Sequence, residues 1–215
     1  MRIAVSPQDP NYVYVVAIDE NGRFFEAYQS EDGGASWQVI GSRNILLNPH
    51  RNQGEYDNAV AVDPDNKERL IVGGVELWEW SADNGWQEIA SLSRFAINFY
   101  VHADKHEIRY HPTKSNTVYV ACDGGLFKST DDGFTYTMEN KGYSTIQFYG
   151  MDVGLDNELL GGTQDNSNIF LNPNDLLSQN GERYFSGDGG MAALSKLNPN
   201  VWFLASQYGN LARSI

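Results

Sequence analysis

Four stretches of this sequence share one frame: a short apolar run, a proline or its stand-in, and a second apolar run beginning six residues later. They are MRIAVSPQDPNYVYVV, NAVAVDPDNKERLIVGG, HEIRYHPTKSNTVYVAC and ALSKLNPNVWFLAS. Pro7, Pro64 and Pro112 hold the marked position in the first three, and Lys196 holds it in the fourth. The second runs open at Val13, Leu70, Val118 and Trp202. Each repeat then turns at a polar or glycine-rich spot into a third run: GRFFEAY, ELWEW, GGLFKS or GNLARS. Proline lacks the N–H that a strand ladder needs, so it ends a strand and starts a turn. The frame therefore predicts short antiparallel strands. Period two agrees, since Met1/Ile3/Val5, Asn58/Val60/Val62 and His106/Ile108/Tyr110 fall on one face. The other face carries small residues such as Ala4, Ala59 and Ala61, as close packing of neighbouring sheets would demand.

A second signature follows the third strand. Ser30–Trp37 and Ser129–Tyr136 both read S-x-D-x-G-x-[ST]-aromatic, and Ser81–Trp86 is a shortened copy. The three serines recur at intervals of about 50 residues, the period of a four-stranded propeller blade. The fold expected is an all-β propeller with blades at 1–47, 48–97, 98–145, 146–184 and an unfinished fifth at 185–215. The sequence runs out at Ala212-Arg213-Ser214, where another copy of the signature is due, so the remaining blades of the same polypeptide are expected partners. Helical periodicity is absent; Asp175-Leu176-Leu177 makes at most a turn.

These residues resemble the Asp-box (BNR) repeat of sialidases, sortilin-type propellers and xyloglucan-degrading glycosidases. The resemblance extends to VHADKHEIRYHP, VYVACDGGLFKSTDDG, QFYGMDV, LLGGTQDNSN and YFSGDGGMAAL, which follow the order seen in secreted bacterial sortilin-like or glycosidase-like propellers. It implies a secreted or cell-surface protein, although Met1-Arg2 leads straight into Ile3-Ala4-Val5 with no signal-peptide core. The box residues themselves, Ser30, Asp32, Gly34 and Trp37, Ser81, Asp83, Gly85 and Trp86, and Ser129, Asp131, Gly133 and Tyr136, have a structural explanation. A short Asp turn caps its own backbone N–H groups, glycine supplies positive φ, and the aromatic packs beneath the hairpin.

Function classes narrow by charge. Asp+Glu 28 against Lys+Arg 15 gives a net charge of −13, which repels phosphate backbones and anionic lipid. Nucleic acid and membrane insertion are therefore not expected, and no apolar run approaches the roughly 18 residues of a span. Cys122 is the only cysteine and reads as a packed thiol. Trp78 and Trp80 read as blade core, and His111 as a turn residue.

Antiparallel strands sort the loops by side. The starts of the first strands and the turns between second and third strands share the side opposite the Asp-boxes. That side collects Asp57; His102, Asp104 and His106; Asp123 before Gly124-Gly125; Gln164, Asp165 and Asn166; and Ser186 and Asp188 before Gly189-Gly190. An extended 101–107 segment would aim His102, Asp104 and His106 one way, fit for a divalent metal. The bland alternative, hydrogen bonding around a channel, is the favoured one, and no cofactor is expected. Glycoside hydrolysis needs two carboxylates across one bond, and Asp123 and Asp188 are the weak catalytic candidates. The xyloglucanases of the family carry an aspartate in a comparable D-x-G-G context. A sialidase needs an arginine cluster, and the arginines here are scattered along the sequence. The favoured reading is a scaffold for polysaccharide or protein ligands, with a xyloglucanase-like hydrolase as the alternative.

Overall fold

A computed structural model describes residues 1–44, 47–90, 99–142, 146–173, 182–185 and 187–214. Asp175-Leu176-Leu177 and Ser186 lie outside the described residues. Two units divide the chain, Met1–Tyr143 and Ser144–Ile215.

The first unit holds three four-stranded antiparallel sheets in plain sequence order. They are β1 (Arg2–Val5), β2 (Val13–Ile18), β3 (Phe24–Ser30) and β4 (Gln38–Ser42); β5 (Ala59–Val62), β6 (Arg69–Gly73), β7 (Leu77–Ser81) and β8 (Gly85–Ala90); and β9 (Lys105–His111), β10 (Lys114–Cys122), β11 (Gly125–Ser129) and β12 (Thr137–Met138). The second unit holds β13 (Phe148–Val153), β14 (Leu159–Thr163), β15 (Asn168–Leu171) and β16 (Glu182–Tyr184), then the three-stranded β17 (Gly189–Leu194), β18 (Trp202–Ser206) and β19 (Leu211–Arg213). Each is the up-and-down meander of a propeller blade. The repeated frame maps onto it directly, with the proline or Lys196 in the first turn. His111 closes β9 as a strand residue rather than sitting in the turn, and its Nδ1 accepts the Thr113 N–H at 3.1 Å.

Cores form where one sheet lies on the next. Tyr14, Val16 and Phe24 of the first sheet meet Leu70, Val72 and Trp80 of the second. Ile71 and Leu77 of the second meet Ile108, Val118, Val120 and Phe127 of the third. The small faces of Ala4, Ala59 and Ala61 are packed against these cores. Trp78 and Trp80 join the first core, while burial pushes the Cys122 thiol up to about 11. In the second unit Leu160 packs with Leu194 and Leu204.

A buried arginine ties the second sheet to the third. Arg69 reaches Asp63 at 2.7 Å, Glu79 at 2.5 Å and the Asp132 carboxylate at 2.6 Å. The two full S-x-D-x-G turns have matching hydrogen bonds. Ser30 Oγ and Ser129 Oγ each donate to the Asp32 or Asp131 carboxylate at 2.8 Å and accept the N–H of Gly34 or Gly133 at 2.8 Å. Ser36 and Thr135 donate to the same carboxylates through N–H at 2.8 Å and hydroxyl at 2.6 Å. In the shortened copy Ser81 Oγ accepts the Asn84 N–H at 3.2 Å, and Gly85 turns at φ +68°. The aromatics differ. Tyr136 is buried beside Ile71 and Ile89 of the preceding sheet, whereas Trp37 covers its own turn and stays 44% exposed.

Candidate functional site

The start of β9 gathers most of the polar candidates of the first unit. Asp104 sits in the left-handed region at φ +61°, so the chain is not extended through it. Directly after it, Lys105 pairs with Cys122 and Glu107 with Ala121, leaving His106 as the extra residue of a bulge. The expectation that His102, Asp104 and His106 share one face fails on these two irregularities. Lys105 turns inward instead, wholly buried, with Nζ donating to the Val75 carbonyl at 2.5 Å. His106 turns to Asp123, Nε2 to Oδ1 at 2.6 Å. His102 packs under Gly124, where a Cβ would meet its ring carbon at 2.4 Å, and its Nδ1 lies 3.3 Å from the Ala103 carbonyl.

Asp123 also accepts the Tyr56 hydroxyl, at 3.0 Å to Oδ2 and 3.2 Å to Oδ1. The Tyr56 ring stands edge-on to His106, centroids 4.8 Å apart, and is 53% exposed. Gln53 donates to Asp104 at 3.0 Å. A carboxylate oxygen of Asp104 lies within 4.8 Å of one of Asp123. Behind this layer Asp57 is wholly buried against Asp104. Burial, then the Asp104 charge, pushes the Asp57 carboxyl up to about 8. Burial and the nearby Asp123 also raise Asp104, against the pull of Lys105, while burial lowers Lys105 to about 8. At neutral pH the layer is thus a neutral acid behind hydrogen-bonded carboxyl groups. That arrangement holds ligand hydroxyls or amides well.

In the second unit Asp188, just before β17, is committed to two neighbouring loops. Its Oδ1 accepts the Asp165 N–H and its Oδ2 the Gln207 side-chain amide, both at 2.7 Å. Asp188 also bridges to Ser167. Asn166 is buried and donates to the Gln164 carbonyl at 3.2 Å; Asp165 takes φ +57°. Gln164, Asp165, Asn166 and Asp188 are therefore neighbours in one loop cluster. Asp123 and Asp188 belong to different units.

Sequence reasoning missed Tyr56, Gln53 and Lys105. Tyr56 and Gln53 stand in a loop before β5, where no period marks them. Lys105 is turned inward only by the bulge, which leaves no trace in the alternation.

No family model matches the chain, and no curated protein does. Among solved structures it is similar to a GH74 enzyme of Niastella koreensis, with 19% identity and TM-score 0.49 over 94% of this chain and 33% of that one. The GH74 xyloglucanase of Xanthomonas campestris gives 17% identity and TM-score 0.48 over 99% of this chain and 36% of that one. YCF48 bound to D1 peptide gives 13% identity and TM-score 0.42 over 100% of this chain and 77% of that one. The chain thus spans about a third of the length of the two GH74 enzymes.

Proposed function

We propose that this chain is an Asp-box propeller scaffold, secreted or at the cell surface, that binds a polysaccharide or protein ligand without breaking bonds. The observation that carries this reading is the Tyr56–His106–Asp123 group. Its carboxylate is already held by two neighbours, and a half-exposed aromatic ring stands beside it. Aromatic faces with a few fixed polar groups suit sugar rings and peptide side chains alike. Hydrolysis would require an accessible acid opposite a base. The neutral acid of the first unit, Asp57, is wholly buried and out of a ligand's reach. The hydrolase alternative is weakened at the same place, because the glycines beside Asp123 are buried, Gly124 on the His102 ring and Gly125 on the Asn140 side chain.

Affinity electrophoresis in gels containing xyloglucan or related β-glucans, with peptide libraries in parallel, tests binding. Retardation or capture that Tyr56→Ala weakens about tenfold is the expected result, the size of one buried aromatic contact. Reducing-end release from xyloglucan by the full-length protein, abolished by Asp123→Ala or Asp188→Ala, would overturn the scaffold reading in favour of the hydrolase.

A further inference from the structure

Three arginines that stand far apart in the sequence converge on one cleft of about 640 Å³ in the first unit. Arg23, Arg43 and Arg51 line it together with Asn44, Asn48 and Asn52, and neither a carboxylate nor an apolar side chain is among the lining residues. The convergence is built at the start of β3. Arg23 directly precedes Phe24, and Arg43 donates its backbone N–H to the Phe25 carbonyl at 2.9 Å. Asn48 accepts the Phe24 N–H at 3.3 Å and donates to the Arg51 carbonyl at 3.0 Å, so one amide fixes both ends of the cleft. Arg51 itself takes φ +52°. The Gly22 turn packs against the backbone of Asn52, where a Cβ would meet its carbonyl at 2.8 Å.

The guanidinium groups keep spare donors. Arg43 makes one ion pair, to Asp19 at 2.8 Å, and Arg51 one, to Glu76 at 2.6 Å. Each guanidinium offers five N–H groups, so both retain free donors. The Arg23 guanidinium makes no hydrogen bond or ion pair among the described residues. Asp19 and Glu76 offset part of this positive charge, and the donors they leave unused remain for a ligand anion. Planar guanidinium groups match a carboxylate two donors at a time.

We propose that this cleft binds the carboxylate of an acidic sugar, so that the ligand is a uronic-acid-containing polysaccharide. The choice of a saccharide rests on the ligand reading above. Asn52 also lines the neighbouring cleft with Gln53 and Tyr56, so the two clefts share an edge; Glu20 and Glu55 line that second cleft too, which keeps the ligand's carboxylate on the guanidinium side. A cleft of arginines and amides without apolar lining suits a hydroxyl-rich anion better than a peptide, whose side chains need apolar pockets.

Calorimetric titration of the protein with trigalacturonate, cellotriose and polyglutamate tests the assignment. Trigalacturonate binds and cellotriose does not reach the same affinity; Arg23→Gln weakens trigalacturonate about tenfold, as does raising salt from about 0.05 to about 0.5 M. The Arg23 guanidinium holds no hydrogen bond or ion pair among the described residues, so this variant leaves the fold intact, which circular dichroism verifies. Absence of trigalacturonate binding, or binding indifferent to Arg23→Gln, overturns the site. Polyglutamate bound as tightly and equally sensitive to Arg23→Gln overturns the saccharide and assigns an acidic peptide. Failure of the Tyr56 reading is seen separately, when Tyr56→Ala leaves retention on neutral β-glucan unchanged.

Discussion

Asp57 is a carboxylic acid wholly buried in the fold. Unfolded, it titrates near 3.8; folded, at about 8, so between those values the folded chain holds one more proton. Stability then falls as pH rises through that window on Asp57's account. His50 works the other way: burial lowers it from 6.5 to about 4, so the unfolded chain holds the extra proton there and stability rises with pH. Lys105, lowered from 10.5 to about 8, adds a second rise only above about 8. Asp57→Asn removes the first of these contributions and keeps the shape. Urea unfolding should therefore show the variant gaining on wild type as pH rises from about 4 to 8, by up to ~1.4 kcal/mol per pH unit. Above about 8 the difference levels off. A difference that stays flat from pH 4 to 8 would mean that Asp57 ionises normally in the fold.

At the scale of elements, Arg69 is the clamp between second and third sheets. Its removal leaves Asp63, Glu79 and Asp132 facing one another with no cation between them. Breaking such a buried network from one side costs about 3–5 kcal/mol. Arg69→Ala should lower the unfolding free energy of the first unit by that amount, measured by denaturant titration; a loss under ~1 kcal/mol would show that solvent replaces the guanidinium. The strands that carry this clamp were legible in the sequence because prolines and period two mark each turn and face. The side of the molecule that collects Asp57, Asp104, His106 and Asp123 was legible too, from the alternation of strand direction alone. The irregularities were not. Asp104's left-handed backbone and the bulge at His106 re-aim three side chains without disturbing the apolar pattern, so an H-x-D-x-H read as one face is in fact divided. The arginine cleft was hidden for another reason: Arg23, Arg43 and Arg51 meet only because a turn, a strand end and a loop are stitched by Asn48.

For the whole molecule, the question is how a chain of net charge −13 with so much apolar surface behaves in solution. In the first unit, the edge strand β1 exposes Ile3 at 59% and Val5 at 51%, with Met1 just before it at 73%. In the second, β13 exposes Tyr149, Met151 and Val153, and β17 exposes Met191. Alternating exposed apolar side chains on a strand with a free edge form a template for pairing with another strand. Opposing this, the net charge repels like chains over a Debye length of about 10 Å at 0.1 M salt. Contact between strand edges is shorter in range than that, so screening should decide which effect wins. The 215-residue chain should self-associate in sedimentation velocity, weakly at low ionic strength and more strongly as salt rises. Replacing Ile3 and Val5 by lysine, which places charges along the edge, should reduce association without unfolding the first sheet, because both side chains already face water. A monodisperse monomer at every salt concentration would show that these strands are not sticky edges in solution.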